Sequence, residues 1–212
     1  MLLIFQAVGQ QAGSVTMNKK FITNALSSSA KVILKVSESG QIISLLEGIS
    51  EATVDAYNNN KKTLFIGNGG SAADAQHLAA EFVSRFNFDR SALASLALTT
   101  DTSVLTAISN DYGYENVFSR QVQAIGVRGD ILFAFSTSGT SKNIIKALKV
   151  AKEKEMIVVS FTGEYSDQLS DLSDYCIKIP SKTTSIIQEC HGIIGHIICS
   201  YVEEVIFAER YK

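Results

Sequence analysis

Proline is nearly missing from this chain: Pro180 is the one instance in 212 residues. No proline-rich spacer, internal repeat or low-complexity linker is present, which argues against a multi-domain array. Cysteine is scarce as well. Cys176, Cys190 and Cys199 stand in apolar strand or helix patterns without CxxC spacing. That excludes a disulfide scaffold and reads as buried free thiols in a reducing cytoplasm. Basic charge is not in excess, since 19 Lys and Arg against 21 Asp and Glu leave a net charge of −2. Nucleic-acid binding needs a positive field, and none is here. Membrane-spanning apolar runs are lacking too. Met1–Val8 is apolar but short, and no basic residue comes before Lys19 and Lys20, so it fits neither a signal peptide nor a membrane helix. Residues 1–16 read as a mobile extension ahead of a single domain over 17–212, and Met17 offers an alternative start.

What the chain does have is apolar content, 46% of residues, enough for one well-packed α/β domain. Helical spacing marks residues 18–36 and 41–59. Five short β-rich runs follow: Thr63–Ile66, Ala94–Leu98, Ile131–Phe135, Ile157–Phe161 and Tyr175–Ile179, the last stopped by Pro180. Stretches long enough for a helix separate most of them. Such alternation predicts a three-layer α/β sandwich, a five-stranded parallel sheet flanked by helices and wound like flavodoxin. A final helix over about Ser185–Ala208 is apolar around much of its circumference, so it must lie in the core or against another subunit.

In open parallel sheets, ligands bind beyond the carboxyl ends of the strands. The first strand leads there into Gly67-Asn-Gly-Gly-Ser71 and an alanine-rich helix, a turn whose backbone N–H groups and helix N-terminus converge on an anion. The third leads into Ser136-Thr-Ser-Gly-Thr-Ser141 before a helix over Lys142–Lys154, a second hydroxyl-rich anion loop. Ser/Thr turns also simply cap helices, but two at neighbouring strand ends favour a phosphorylated small molecule.

His77 and Glu81 leave one face of the helix after the glycine loop, one turn apart, as an acid/base or metal pair. Glu81 and Arg85 share the same spacing and could form a surface salt bridge. The final helix holds Gln188, Glu189, His191 and His196 within its apolar pattern, and polar groups on a buried helix need partners or a task. His191 reads as a core histidine. Helical geometry leaves open which residue works with His196, for Glu189 is seven residues away and Gln188 eight.

These segments resemble the SIS (sugar isomerase) domain family, and within it the phosphoheptose isomerases, over residues 20–208. The likeness is carried by Gly67–Glu81, by Ser109-Asn-Asp-Tyr-Gly113, by Ser136–Ser141 and by Gln188-Glu-Cys-His191 with His196, in that order. It implies aldose–ketose isomerisation of sedoheptulose 7-phosphate to D-glycero-D-manno-heptose 7-phosphate through an enediol, supplying heptose precursors of lipopolysaccharide or capsule. In the resemblance Glu81 is the base, and His196 is its partner across the site, from a neighbouring subunit. Asn68, Gly69, Gly70 and Ser71 line the sugar-phosphate pocket. Ser136, Thr137, Ser138 and Ser141 hold the phosphate, while Asn110 and Asp111 meet sugar hydroxyls. Some members bind zinc through residues matching His77, Glu81, Gln188 and His196, which would resolve the helical ambiguity toward Gln188. Family members are homotetramers, which implies active sites at subunit interfaces. Ser185 and Ile186 stand where many relatives have Asp or Thr followed by Arg, a departure that touches sugar-hydroxyl contacts.

Two rival readings come from other classes. A related tetrameric scaffold binds the bacterial replication initiator without catalysis, but it resembles the isomerases less at Glu81 and His196. A dinucleotide oxidoreductase would use Gly67-x-Gly69-x-x-Ala72 and needs an acidic residue about 20 residues on. Asp101 is over 30 residues from Gly69, and no second substrate domain follows.

Overall fold

The computed structural model describes residues 19–164 and 167–207. The expected extension over 1–16 and the domain start at Met17 lie outside them. Helices α1 (Lys19–Glu38) and α2 (Gly40–Asn58) lead into β1 (Thr63–Gly67), α3 (Gly70–Val83), β2 (Ser95–Ala97), α4 (Thr102–Tyr112), a 3-10 turn (Tyr114–Asn116) and α5 (Val117–Ile125). Then come β3 (Ile131–Ser136), α6 (Lys142–Glu153), β4 (Ile157–Thr162), α7 (Asp167–Asp171), β5 (Tyr175–Lys178) and α8 (Thr184–Phe207). All four strand pairs are parallel and the order is β2-β1-β3-β4-β5. The expected flavodoxin-like sandwich is therefore present. Ala94 and Leu98 fall outside β2 yet still bond β1, through Thr63 N–H to the Ala94 carbonyl and Leu98 N–H to the Phe65 carbonyl. Ile179 likewise falls just past β5 and bonds the Thr162 carbonyl.

Two-residue periodicity sorts the strands into two cores. Phe65, Phe133, Phe135, Phe161 and Ile177 face α2, α3 and α8. Leu64, Ile66, Leu132, Ala134 and Val158 face α5 and α6. Register sets Phe65 beside Phe133 and Phe135 beside Phe161, with rings stacked at 4.8 and 4.7 Å. Among the described residues, α8 is the one helix long and apolar enough to cross a membrane by length and composition alone. Its inner face instead fills the first core with Ile187, Cys190, Ile194, Ile198, Cys199 and Val202. Cys176, expected to be buried, is only half-buried at the edge strand β5.

The chain leaves β1 on one face through α3, reaches β2, then returns on the other face to β3. The carboxyl ends of β1 and β3 thus diverge, and their loops flank a crevice at this switch point.

Candidate active site

Both loops flanking the crevice have the anion-cradle form. Gly69, at φ +57°, turns the chain into α3 in a region other residues avoid. A Cβ on Gly67 would sit 2.3 Å from the Ser71 carbonyl oxygen, so the tight return of the loop requires glycine there as well. Neither α3 nor α6 has a side-chain cap at its N-terminus, whereas Ser39 and Asp101 cap α2 and α4. The Ser71 and Ala72 N–H groups of α3 turn back to the Asn68 and Gly69 carbonyls, and the Ile144 N–H of α6 bonds Asn143 Oδ1, so each uncapped N-terminus offers an anion mainly the positive end of its helix dipole. Asp101, the residue an oxidoreductase would need, accepts the Val104 N–H at 3.0 Å.

Asn68 and Asn143 tie the two loops together. Asn68 Nδ2 donates to Asn143 Oδ1 (3.0 Å), and Asn143 Nδ2 donates back to Asn68 Oδ1 (2.8 Å). Tyr114 Oη donates to the same Asn68 oxygen at 2.9 Å. Asn143 and Tyr114 were not among the expected site residues. Nothing in the sequence signalled either one, since the Asn68 side chain that places them is 75 and 46 residues away. In the second loop, Ser136 Oγ donates to Ser141 Oγ (3.3 Å), Ser138 Oγ accepts the Thr140 N–H (3.3 Å), and the Thr137 carbonyl accepts the Gly163 N–H (3.1 Å). Thr137 and Ser138 open onto a cavity of about 320 Å³ shared with Ser181, Lys182 and Thr184. Asn110 and Asp111 bond each other at the exposed end of α4.

The reactive side chains meet farther along α3 and α8, which run side by side. His77 Nε2 and His196 Nε2 are 2.7 Å apart, so one ring carries the proton and the other presents a lone pair. Glu81 Oε1 is 3.5 Å from His77 Nε2. The three groups present donor atoms within 4.8 Å of one another, a set able to hold a metal ion. Phe86 stacks on the His196 ring at 5.5 Å. Asp74, on the same helix, has Oδ2 buried without a partner among the described residues. Burial pushes its carboxyl above the ordinary value, against the pull of His77.

Within one chain His196 already stands beside His77 and Glu81. Gln188 does not join this cluster; its Nε2 faces Ser71 Oγ at 3.5 Å and lies over Gly70. Eight residues of one helix separate it from His196, about 12 Å along the axis. His191 is fully buried, with Nε2 3.4 Å from the Thr162 carbonyl, and burial lowers its pKa to about 4. It is a neutral core residue, as expected. Burial likewise drives the Cys199 thiol up to about 12, which makes it inert.

The SIS domain family matches residues 26–163, which span β1 through β4 and both loops. Phosphoheptose isomerase 2 of Campylobacter jejuni is 58% identical over 171 residues, covering 81% of this chain and 85% of that protein. The chain belongs to the SIS-domain family, among its phosphoheptose isomerases. A second SIS-domain relative, the phosphoheptose isomerase of Aneurinibacillus thermoaerophilus, is 54% identical over 191 residues, 90% of this chain and 96% of that one. The solved SIS-domain structure of the Neisseria gonorrhoeae phosphoheptose isomerase superposes with a TM-score of 0.81 at 37% identity, covering 87% of this chain and 98% of that chain. The enzyme from Francisella tularensis gives 0.83 at 31%.

Proposed function

We propose that this chain isomerises sedoheptulose 7-phosphate and D-glycero-D-manno-heptose 7-phosphate through an enediol. The observation that carries this reading is the meeting of Glu81 with His77 and His196, 119 residues apart along the chain, in one cluster. The phosphate sits at Ser136–Ser141 and the α6 N-terminus, where hydroxyls and amides donate to its oxygens. Asn68, Gly69, Gly70 and Ser71, with Gln188 laid across them, bound the sugar. Glu81 takes the proton from C1 of the ketose and returns it to C2, while His196 moves a proton between the oxygens on C1 and C2. Binding energy from the remote phosphate holds the reacting carbons against the base.

Two imidazoles and a carboxylate are the donor composition of a catalytic zinc site with an open position, so the residues present fit that ion. Held by His77, Glu81 and His196, it would supply Lewis-acid polarisation of the substrate oxygens. Gln188 as a fourth ligand would have to come from another copy of the chain. A homotetramer is supported by apolar surface in two places. No α1 residue is buried, Phe21, Ile22, Leu26 and Leu34 of that helix stand exposed, and so do Ile193, Ile197 and Tyr201 of α8. Three free cysteines fit a reducing cytoplasm.

The test is NMR of purified protein with sedoheptulose 7-phosphate in D₂O, with and without added zinc. Aldose carrying deuterium at C2 is the expected product, and Glu81→Gln should abolish it while leaving the fold intact. No conversion under either condition by folded protein refutes the reading and favours a scaffold that binds a protein partner.

A further inference from the structure

We propose that Arg90 and Glu203 are positioning residues for the His77–Glu81–His196 cluster, joining the helix that carries Glu81 to the helix that carries His196. Both side chains are 1% exposed, and Arg90 Nε donates to Glu203 Oε1 at 2.9 Å. The other donors of the guanidinium are spent on the end of α3. Nη2 donates to the carbonyl of Glu81 itself (2.7 Å), and Nη1 to the carbonyls of Phe82 (2.9 Å), Ser84 (3.3 Å) and Ser91 (3.0 Å). The carbonyls of Glu81, Phe82 and Ser84 are at the carboxyl end of α3, where a helix leaves such groups unsatisfied, and that of Ser91 is in the loop beyond; the planar fork reaches all of them at once.

Glu203 repeats the arrangement from the other side. Oε1 also accepts the Phe86 N–H (2.8 Å) and Oε2 the Asn87 N–H (2.5 Å). Phe86 then stacks on the His196 ring. His196 and Glu203 are seven residues apart on α8, two turns along nearly one face. One buried ion pair therefore governs both the main chain of Glu81 and the ring of His196. An apolar pair of equal volume can match a buried salt bridge in stability, so stability alone does not explain its presence. Registering two helices whose side chains must meet does.

The inference rests on the isomerase reading for its kinetic arm alone. The test is the double variant R90M/E203L, which removes both charges and leaves neither stranded, with F86L as a second variant that retains the N–H to Glu203. In zinc-free protein, ¹H–¹³C NMR reads the His77 and His196 ring signals and the Phe86–His196 NOE. With sedoheptulose 7-phosphate, kcat is expected to fall tenfold or more in the double variant and several-fold in F86L, while KM changes less than threefold. As a control, K62M/D130L breaks the other pair with a buried carboxylate, at the opposite ends of β1 and β3, and should lower the melting point without moving the histidine signals. Unchanged ring signals, NOE and kcat in folded R90M/E203L overturn the proposal. If that variant does not fold, unchanged signals and kcat in F86L do so. Absence of turnover in the unaltered protein would count against the isomerase, and the NMR arm would still decide the positioning role.

Discussion

Replacing Gly195 by alanine puts a methyl group into the narrowest point between α3 and α8. An added Cβ would lie 2.5 Å from Leu78 Cδ1 and 2.6 Å from Cδ2. Carbon atoms prefer about 3.5–4.0 Å, so roughly 1 Å of room is missing. Leu78 cannot retreat. It is 2% exposed, walled by Phe65, Phe82, Phe133, Phe135 and Phe161, and the void beside it holds only about 10 Å³. The helices must part or rotate instead. Overpacking of this kind costs about 1–3 kcal/mol, offset by about 1 kcal/mol from the better helix propensity of alanine. A net loss of about 1 kcal/mol lowers the melting point of a chain this size by roughly 3 °C. The catalytic loss should be larger, because His77 precedes Leu78 and His196 follows Gly195. A shift near 1 Å at their 2.7 Å contact would cost on the order of 10²-fold in turnover. Calorimetry and the sedoheptulose 7-phosphate assay read the two effects separately, and L78A/G195A, which returns the lost volume, should recover part of the rate. Full activity with an unchanged melting point in G195A would refute the idea that this contact sets the cluster.

Three further outcomes are expected. Gly69→Ala must hold a side chain at φ +57°, ψ −123°, a strain of about 1–3 kcal/mol; urea unfolding should show it, together with a raised KM. Asn143→Leu removes both amide bonds to Asn68 and should cost about 1–3 kcal/mol while raising KM more than it lowers kcat, with circular dichroism unchanged. His191 titrates near 4 in the fold against 6.5 ordinarily. Between those values the unfolded chain binds a proton that the folded chain does not. Its contribution is therefore fully present above pH 6.5 and is lost as pH falls toward 4, by about 3 kcal/mol. Urea midpoints at pH 7 and 4.5 should drop less in His191→Asn than in the unaltered protein.

Much of the architecture was legible because it depends on neighbours in the chain. Period-two apolar runs separated by helical stretches dictate parallel strands, and glycines at 67 and 69 dictate a turn that no side chain could enter. The four-residue spacing of His77 and Glu81 sets them on one face of α3 whatever surrounds it. Spacing along α8 could not say whether Gln188, Glu189 or neither stands with His196. That choice depends on which face of α8 meets α3, and the close approach of Gly195 to Leu78 decides it. The same contact puts His196 with His77 and leaves Gln188 at Ser71. Asn143 and the Arg90–Glu203 pair were invisible for the same reason, since their partners lie 75 and 113 residues away. Within an element, covalent geometry fixes which side chains share a face, and sequence carries that in full; between elements, side-chain volumes and buried hydrogen bonds set the register, and those exist only once the chain has folded.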